Sequence, residues 1–96
     1  MPKYVLLSTL TCDGSKTVKE NPQRILEVNK EIETYGAKVM EQYAVLGPYD
    51  FVTILDAPDN ETVVKVSVDL CSRGTIKILS MPATPTKELI DNLKKK

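Results

Sequence analysis

The chain has 96 residues, 13 basic against 13 acidic side chains, a formal net charge of zero and no histidine. That length reads as one domain over residues 1–96, and 42% hydrophobic with 27% charged residues is a globular composition, not a disordered one. A neutral chain has no electrostatic footing on nucleic acid or an acidic membrane, and the missing imidazole excludes a His-based triad, an imidazole metal site and a His proton relay.

The segment Tyr4 to Thr11 is apolar and β-branched and runs into Asp13-Gly14, a turn signal, so it is predicted as the first strand. Ser15 to Glu20 is polar and suits one or two helical turns. Asn21-Pro22 then marks a break and a new helix, with Asn as N-cap and Pro at the first helical position. Ile25, Val28, Ile32 and Tyr35 recur on one helical face, and Gly36 is placed as the stop. Lys38 to Leu46 is predicted as strand two and Tyr49 to Leu55 as strand three. Only Gly47-Pro48 separates them, which makes a hairpin.

Ala57-Pro58-Asp59-Asn60 is a loop ending in capping residues. A second helix is expected from about Glu61 to Arg73, with Val63, Val66 or Ser67, Leu70 and Cys71 inward and Gly74 as its end. Local propensity opposes this, because Val63, Val64, Val66 and Val68 are all β-branched. The helix is preferred for its Asp59 cap, its Gly74 stop and the need to cover the hairpin. Thr75 to Met81 is the fourth strand, closed by Pro82, Thr84 and Pro85. Thr86 to Lys95 is a terminal amphipathic helix with Leu89, Ile90 and Leu93 on one side. Its Lys94-Lys95-Lys96 end suits the negative pole of the helix dipole.

The order β-α-β-β-α-β plus a terminal helix, with right-handed crossovers, predicts an α+β ferredoxin-like fold. Its sheet has four antiparallel strands, with strands one and three central and both helices on one face. A sheet covered on one face should alternate apolar and polar residues. These strands do not: Val5 and Leu7 oppose Tyr4, Leu6 and Leu10, Val52 and Ile54 oppose Phe51 and Leu55, and Leu79 and Met81 oppose Ile76 and Ile78. The uncovered face amounts to roughly 400 Å², near the most a soluble monomer exposes as one patch. The terminal helix covers part of it, or a second copy covers all of it. The expected partner is therefore a second chain, sheet to sheet, in a dimeric α/β barrel.

Cys12 and Cys71 form no CxxC motif, so a zinc or iron–sulfur site is not expected, and no metal ligand or cofactor is nominated. The opening Met-Pro-Lys-Tyr-Val-Leu-Leu-Ser carries no long apolar leader, and no run approaches the ~20 apolar residues of a membrane span. A soluble, cytoplasmic protein with reduced thiols is expected. Cys12 is placed at the end of strand one beside Asp13, whose charge disfavours a thiolate, and no residue is nominated as catalytic. Asp13-Gly14-Ser15-Lys16 lacks the second glycine and the Lys-Ser/Thr pair of a phosphate loop.

Tyr49-Asp50 is the most suggestive pair. A phenol and a carboxylate at the rim of an apolar cavity can fix the polar group of a small ligand. The competing reading has Asp50 bonding loop amides after the Gly-Pro turn and Tyr49 holding the hairpin edge. Tyr4, Ser8 and Tyr43 are the other polar-tipped strand residues, and they either line such a cavity or pack in the core or interface.

The segment Gly47-Pro48-Tyr49-Asp50-Phe51-Val52 resembles the Gly-x-Tyr-Asp signature of the GYD-domain family. The opening Met-Pro-Lys-Tyr-Val-Leu-Leu, the Lys19-Glu20-Asn21-Pro22-Gln23-Arg24 stretch and the Asp56-Ala57-Pro58-Asp59-Asn60-Glu61-Thr62 turn extend the resemblance to about Met81. Cys71-Ser-Arg-Gly and the Lys-rich terminal helix depart from it. The resemblance implies a dimeric α/β barrel and no established reaction. Tyr43 to Phe51, with the capped helix and the Arg-Gly-Thr-Ile strand, is also similar to the small-molecule-sensing domain of Lrp/AsnC-type regulators. No helix-turn-helix precedes it in these 96 residues, so direct DNA reading is not expected. Three roles follow: a small-ligand-binding or sensory dimer, an assembly protein without ligand, or a cofactor-independent monooxygenase- or isomerase-like enzyme.

Overall fold

The computed structural model describes residues 1–95. Strand β1 is Lys3–Leu10, followed by helices α1 (Cys12–Glu20) and α2 (Arg24–Glu33), strands β2 (Lys38–Ala44) and β3 (Phe51–Asp56), helix α3 (Asn60–Cys71), strand β4 (Ile76–Ala83) and helix α4 (Thr86–Lys94). The four strands form one sheet in the order β2-β3-β1-β4, antiparallel throughout, as a ferredoxin-like fold requires.

Helix α3 forms where propensity opposed it because its ends and its inner side agree. The Asp59 carboxylate accepts from the Thr62 amide at 2.8 Å and from the Thr62 hydroxyl at 2.7 Å, which holds its pKa below the ordinary value. Gly74, at φ 77°, ends the turn after the helix. Val63, Val66 and Leu70 are buried against the sheet, so packing outweighs the few tenths of a kcal/mol that each β-branched residue costs a helix. These residues join Tyr4 and Leu6 of β1, Leu55, Ala57, Ile32 and Ala37 in the core, where Leu55 and Val66 are fully buried.

Several boundaries differ from expectation. Strand β2 stops at Ala44 and β3 starts at Phe51, so residues 45–50 join them and not Gly47-Pro48 alone, and β4 starts at Ile76 and runs through Pro82 to Ala83. Cys12 does not end strand one. The strand stops at Leu10, Thr11 caps α1 by accepting the Gly14 amide at 3.1 Å, and Cys12 opens the helix, exposed. Asp13-Gly14 therefore lies in the first turn of α1, which is longer than the one or two turns expected from Ser15. Asn21 is not the side-chain cap of the next helix. It closes α1 through its own amide, and Gln23 leads into α2 without a side-chain cap. The break at Asn21-Pro22 stands. Of the terminal lysines, Lys96 lies outside the described residues.

The second face of the sheet is apolar at its centre. Val5 pairs across the strands with Ile54 and Met81, and Leu7 with Val52 and Leu79. Leu79 is 50% exposed and Met81 39%. Helix α4 buries none of its residues, and Leu89, Ile90 and Leu93 are exposed on it. The edge strands carry interruptions: β2 has a bulge between Val39 and Glu41, and β4 has Pro82 opposite Tyr4.

Candidate functional site

A cavity of about 230 Å³ lies between the sheet and the helices. Ser8 and Leu10 of β1, Phe51 of β3 and Ile76 of β4 form its floor. Val18 of α1 with Ile25, Val28 and Asn29 of α2 form its roof. The seating of α1 depends on Gly14. Thr11 bonds the start of the helix to the chain before β4, its amide donating to the Thr75 carbonyl at 3.0 Å and its hydroxyl to the Gly74 carbonyl at 2.8 Å. A Cβ on Gly14 would stand 1.9 Å from the Thr75 oxygen.

The cavity wall is mainly apolar, with a polar row at Asn29 and Gln42 besides Ser8, two threonines and two arginines. Asn29 donates its amide to the Gln42 side-chain oxygen at 2.8 Å, and Gln42 donates to the buried Thr53 hydroxyl at 3.2 Å. Gln42 faces this side because of the β2 bulge. Met40 is the extra residue, so Gln42 pairs with Thr53 on the helix side, while Tyr43 pairs with Val52 on the open side. Asn29 and Gln42 escaped the sequence reading. Strict alternation from Val39 would have turned Glu41 and Tyr43 inward.

Arg24 and Arg73 also line the cavity, and both are held in ion pairs. Arg73 reaches Glu31 at 2.6 Å and Asp69 at 3.0 Å, and Arg24 reaches Glu31 at 3.3 Å and Glu27 at 3.4 Å. The Arg73 hydrogen bond lowers the Glu31 pKa. The Tyr35 hydroxyl donates to Asp69 at 2.6 Å, lowering the carboxyl pKa and raising that of the phenol. These groups tie α2 to α3. Among the described residues, no group of three or more His, Cys, Asp or Glu could hold a metal ion.

The five candidate residues are dispersed. Ser8 is buried and lines the cavity. Tyr4 is buried beneath the start of α3, its hydroxyl donating to the Asn60 side-chain oxygen at 2.6 Å. Tyr43 lies on the open face, exposed, with its hydroxyl on Glu41 at 3.1 Å, a contact that raises its pKa. Tyr49 and Asp50 sit half-buried in the β2–β3 connection. The Asp50 carboxylate accepts the Leu10 amide at 2.7 Å, and its own amide donates to the Ser8 carbonyl at 2.8 Å. Asp50 thus ties the hairpin to the end of β1.

Asp50→Ala is expected to destabilise the fold by about 1–3 kcal/mol, the cost of leaving the Leu10 amide without its acceptor. Asp50→Asn keeps an acceptor oxygen and should recover more than half of the loss in urea denaturation. Equal midpoints for the three proteins would remove this role.

Comparison with known proteins places these features in a family. The "Glutamine synthetase and cystathionine beta-lyase binding protein" of Thermus thermophilus is 50% identical over 95 residues, covering 98% of this chain and 100% of that protein. A crystal structure of the protein TTHA0845, also from Thermus thermophilus, superposes with a TM-score of 0.56 at 22% identity, covering 88% of this chain and 95% of that one, a likeness of fold. The GYD domain model matches residues 4–93, and on that match the chain belongs to the GYD domain family.

Proposed function

We propose that this chain is a binding protein: a homodimer that docks on other proteins, with glutamine synthetase and cystathionine beta-lyase as the first partners to test. The observation that carries this reading is the end-to-end 50% identity with a protein named for binding those two enzymes. The proposed setting is the cytoplasm, which suits two free cysteines.

The open sheet face supports the pairing. About 400 Å² from each copy gives about 800 Å² in total, below the ~1,200 Å² at which specific interfaces begin. The sheets alone would pair weakly. The exposed stripe of Leu89, Ile90 and Leu93 on α4 supplies further apolar area, so sheet and terminal helix together form the pairing surface in this reading. The outer side of α3 is left for other proteins. Val64 and Val68 stand one turn apart there, 60% and 64% exposed, with no core contact to offset their poor helix propensity.

Surface plasmon resonance against the purified enzymes tests the proposal. At least one should bind with a dissociation constant below about 10 µM, and Val64→Lys with Val68→Lys should weaken it by about tenfold or more. Absence of binding to both enzymes at about 100 µM would overturn it.

A small-ligand role rests on a different observation, the cavity and the Ser8 hydroxyl within it.

A further inference from the structure

We infer that the cavity between the sheet and helices α1 and α2 is a binding site for an uncharged, mainly apolar small molecule bearing one hydrogen-bonding group, with Ser8 as its polar contact. Ser8 is only 5% exposed, and its hydroxyl has no hydrogen-bond partner among the described residues. No fully occluded side-chain oxygen or nitrogen among those residues lacks a partner. The Ser8 hydroxyl must therefore reach open space, and the open space it lines is this cavity. A hydroxyl that opens on the cavity and bonds nothing in the protein is free to donate to, or accept from, the polar group of a ligand.

The lining sets the chemistry of the occupant. Leu10, Phe51, Ile76, Ile25 and Val28 supply an apolar bed, while Asn29 and Gln42 keep one amide hydrogen each beyond those donated to Gln42 and Thr53. Arg24 and Arg73 are the charged members of the lining, and they face Glu27, Glu31 and Asp69, three acids against two bases. No cationic charge is left over for a carboxylate or phosphate, so a neutral molecule is favoured. An engineered apolar cavity of about 150 Å³ holds benzene, so 230 Å³ admits a two-ring molecule.

The test is a titration of the 15N-labelled full chain with indole, which has an apolar body and one N–H, and separately with indole-3-acetate, the same body with a carboxylate. Indole should give saturable shifts confined to the amides of Ser8, Leu10, Asn29 and Gln42, and the carboxylate should bind at least about fivefold more weakly. Ser8→Ala should leave the melting temperature within about 1 °C, since the hydroxyl bonds nothing in the protein, yet weaken indole about fivefold, the worth of one neutral hydrogen bond. Val28→Phe should fill the space and abolish the shifts; if that chain fails to fold, Ile25→Phe serves in its place. Non-saturating shifts, shifts mapped to Val5, Leu79 and Met81, or unaltered affinity in Ser8→Ala would each overturn the inference. Neither the open sheet face nor Val64 and Val68 on the outer side of α3 line the cavity, so this result and the docking result stand or fall separately.

Discussion

Leu79→Lys is expected to convert the proposed homodimer into a monomer, raising its dissociation constant at least about a hundredfold, or about 2.8 kcal/mol. Leu79 pairs with Leu7 on the open sheet face, where it is half exposed in the single chain. The substitution therefore takes little from the fold of one copy. In a sheet-to-sheet pair the same position would be covered, and two-fold symmetry would place two unpaired ammonium groups in one apolar contact. Val64→Lys, on the outer side of α3, should leave the pairing intact. Sedimentation velocity from about 1 to 100 µM reads both variants. If the unsubstituted chain sediments as a monomer throughout, the pairing is wrong and α4 must serve something other than a second copy.

Gly14→Ala should be strongly damaging to the fold itself. Alanine is ordinarily the better helix residue by about 1 kcal/mol, so an exposed helix would gain from it. Here the added methyl meets the Thr75 backbone oxygen at 1.9 Å and the Leu10 side chain at 3.2 Å. A carbonyl cannot swing aside as a flexible side chain can. It is held by the Thr11 amide, so α1 must lift away and break that bond. Overpacking of this kind costs about 1–3 kcal/mol or more, and about 3 kcal/mol corresponds to about 12–24 °C in melting temperature for a domain of this size. Calorimetry measures it. A melting temperature equal to or above that of the unsubstituted chain would show that the approach of α1 to the Thr75 carbonyl is not needed.

Much of the fold was legible because independent signals agreed. The Asp59 cap and the Gly74 stop outvoted four β-branched valines, and α3 follows the caps. The two-sided apolar pattern of β1, β3 and β4 was legible because those strands keep an unbroken period of two. The site was much less so. A single extra residue at Met40 reverses the phase of β2, so Gln42 enters the cavity and Tyr43 leaves for the open face, and nothing in Lys38-Val-Met-Glu-Gln-Tyr announces a bulge. Ser8 was legible as a polar residue in an apolar strand, but not its separation from Tyr4 and Tyr43. Asp13-Gly14 reads as a turn, and only the close approach of Thr75 explains a glycine in the first turn of a helix. Such an approach is set by tertiary packing and leaves no mark on neighbouring letters.

The interrupted rims of the sheet limit what such a protein can build. Pro82 offers no N–H on β4, Lys77 places a charge on the same strand, and the Met40 bulge twists β2 out of line. Strands from another molecule find no regular ladder to extend at either border. Assembly can then proceed by stacking faces, which ends at two, and not by lateral addition, which has no end. Oligomers of this chain should be self-limiting, and concentrated solutions should stay free of fibres.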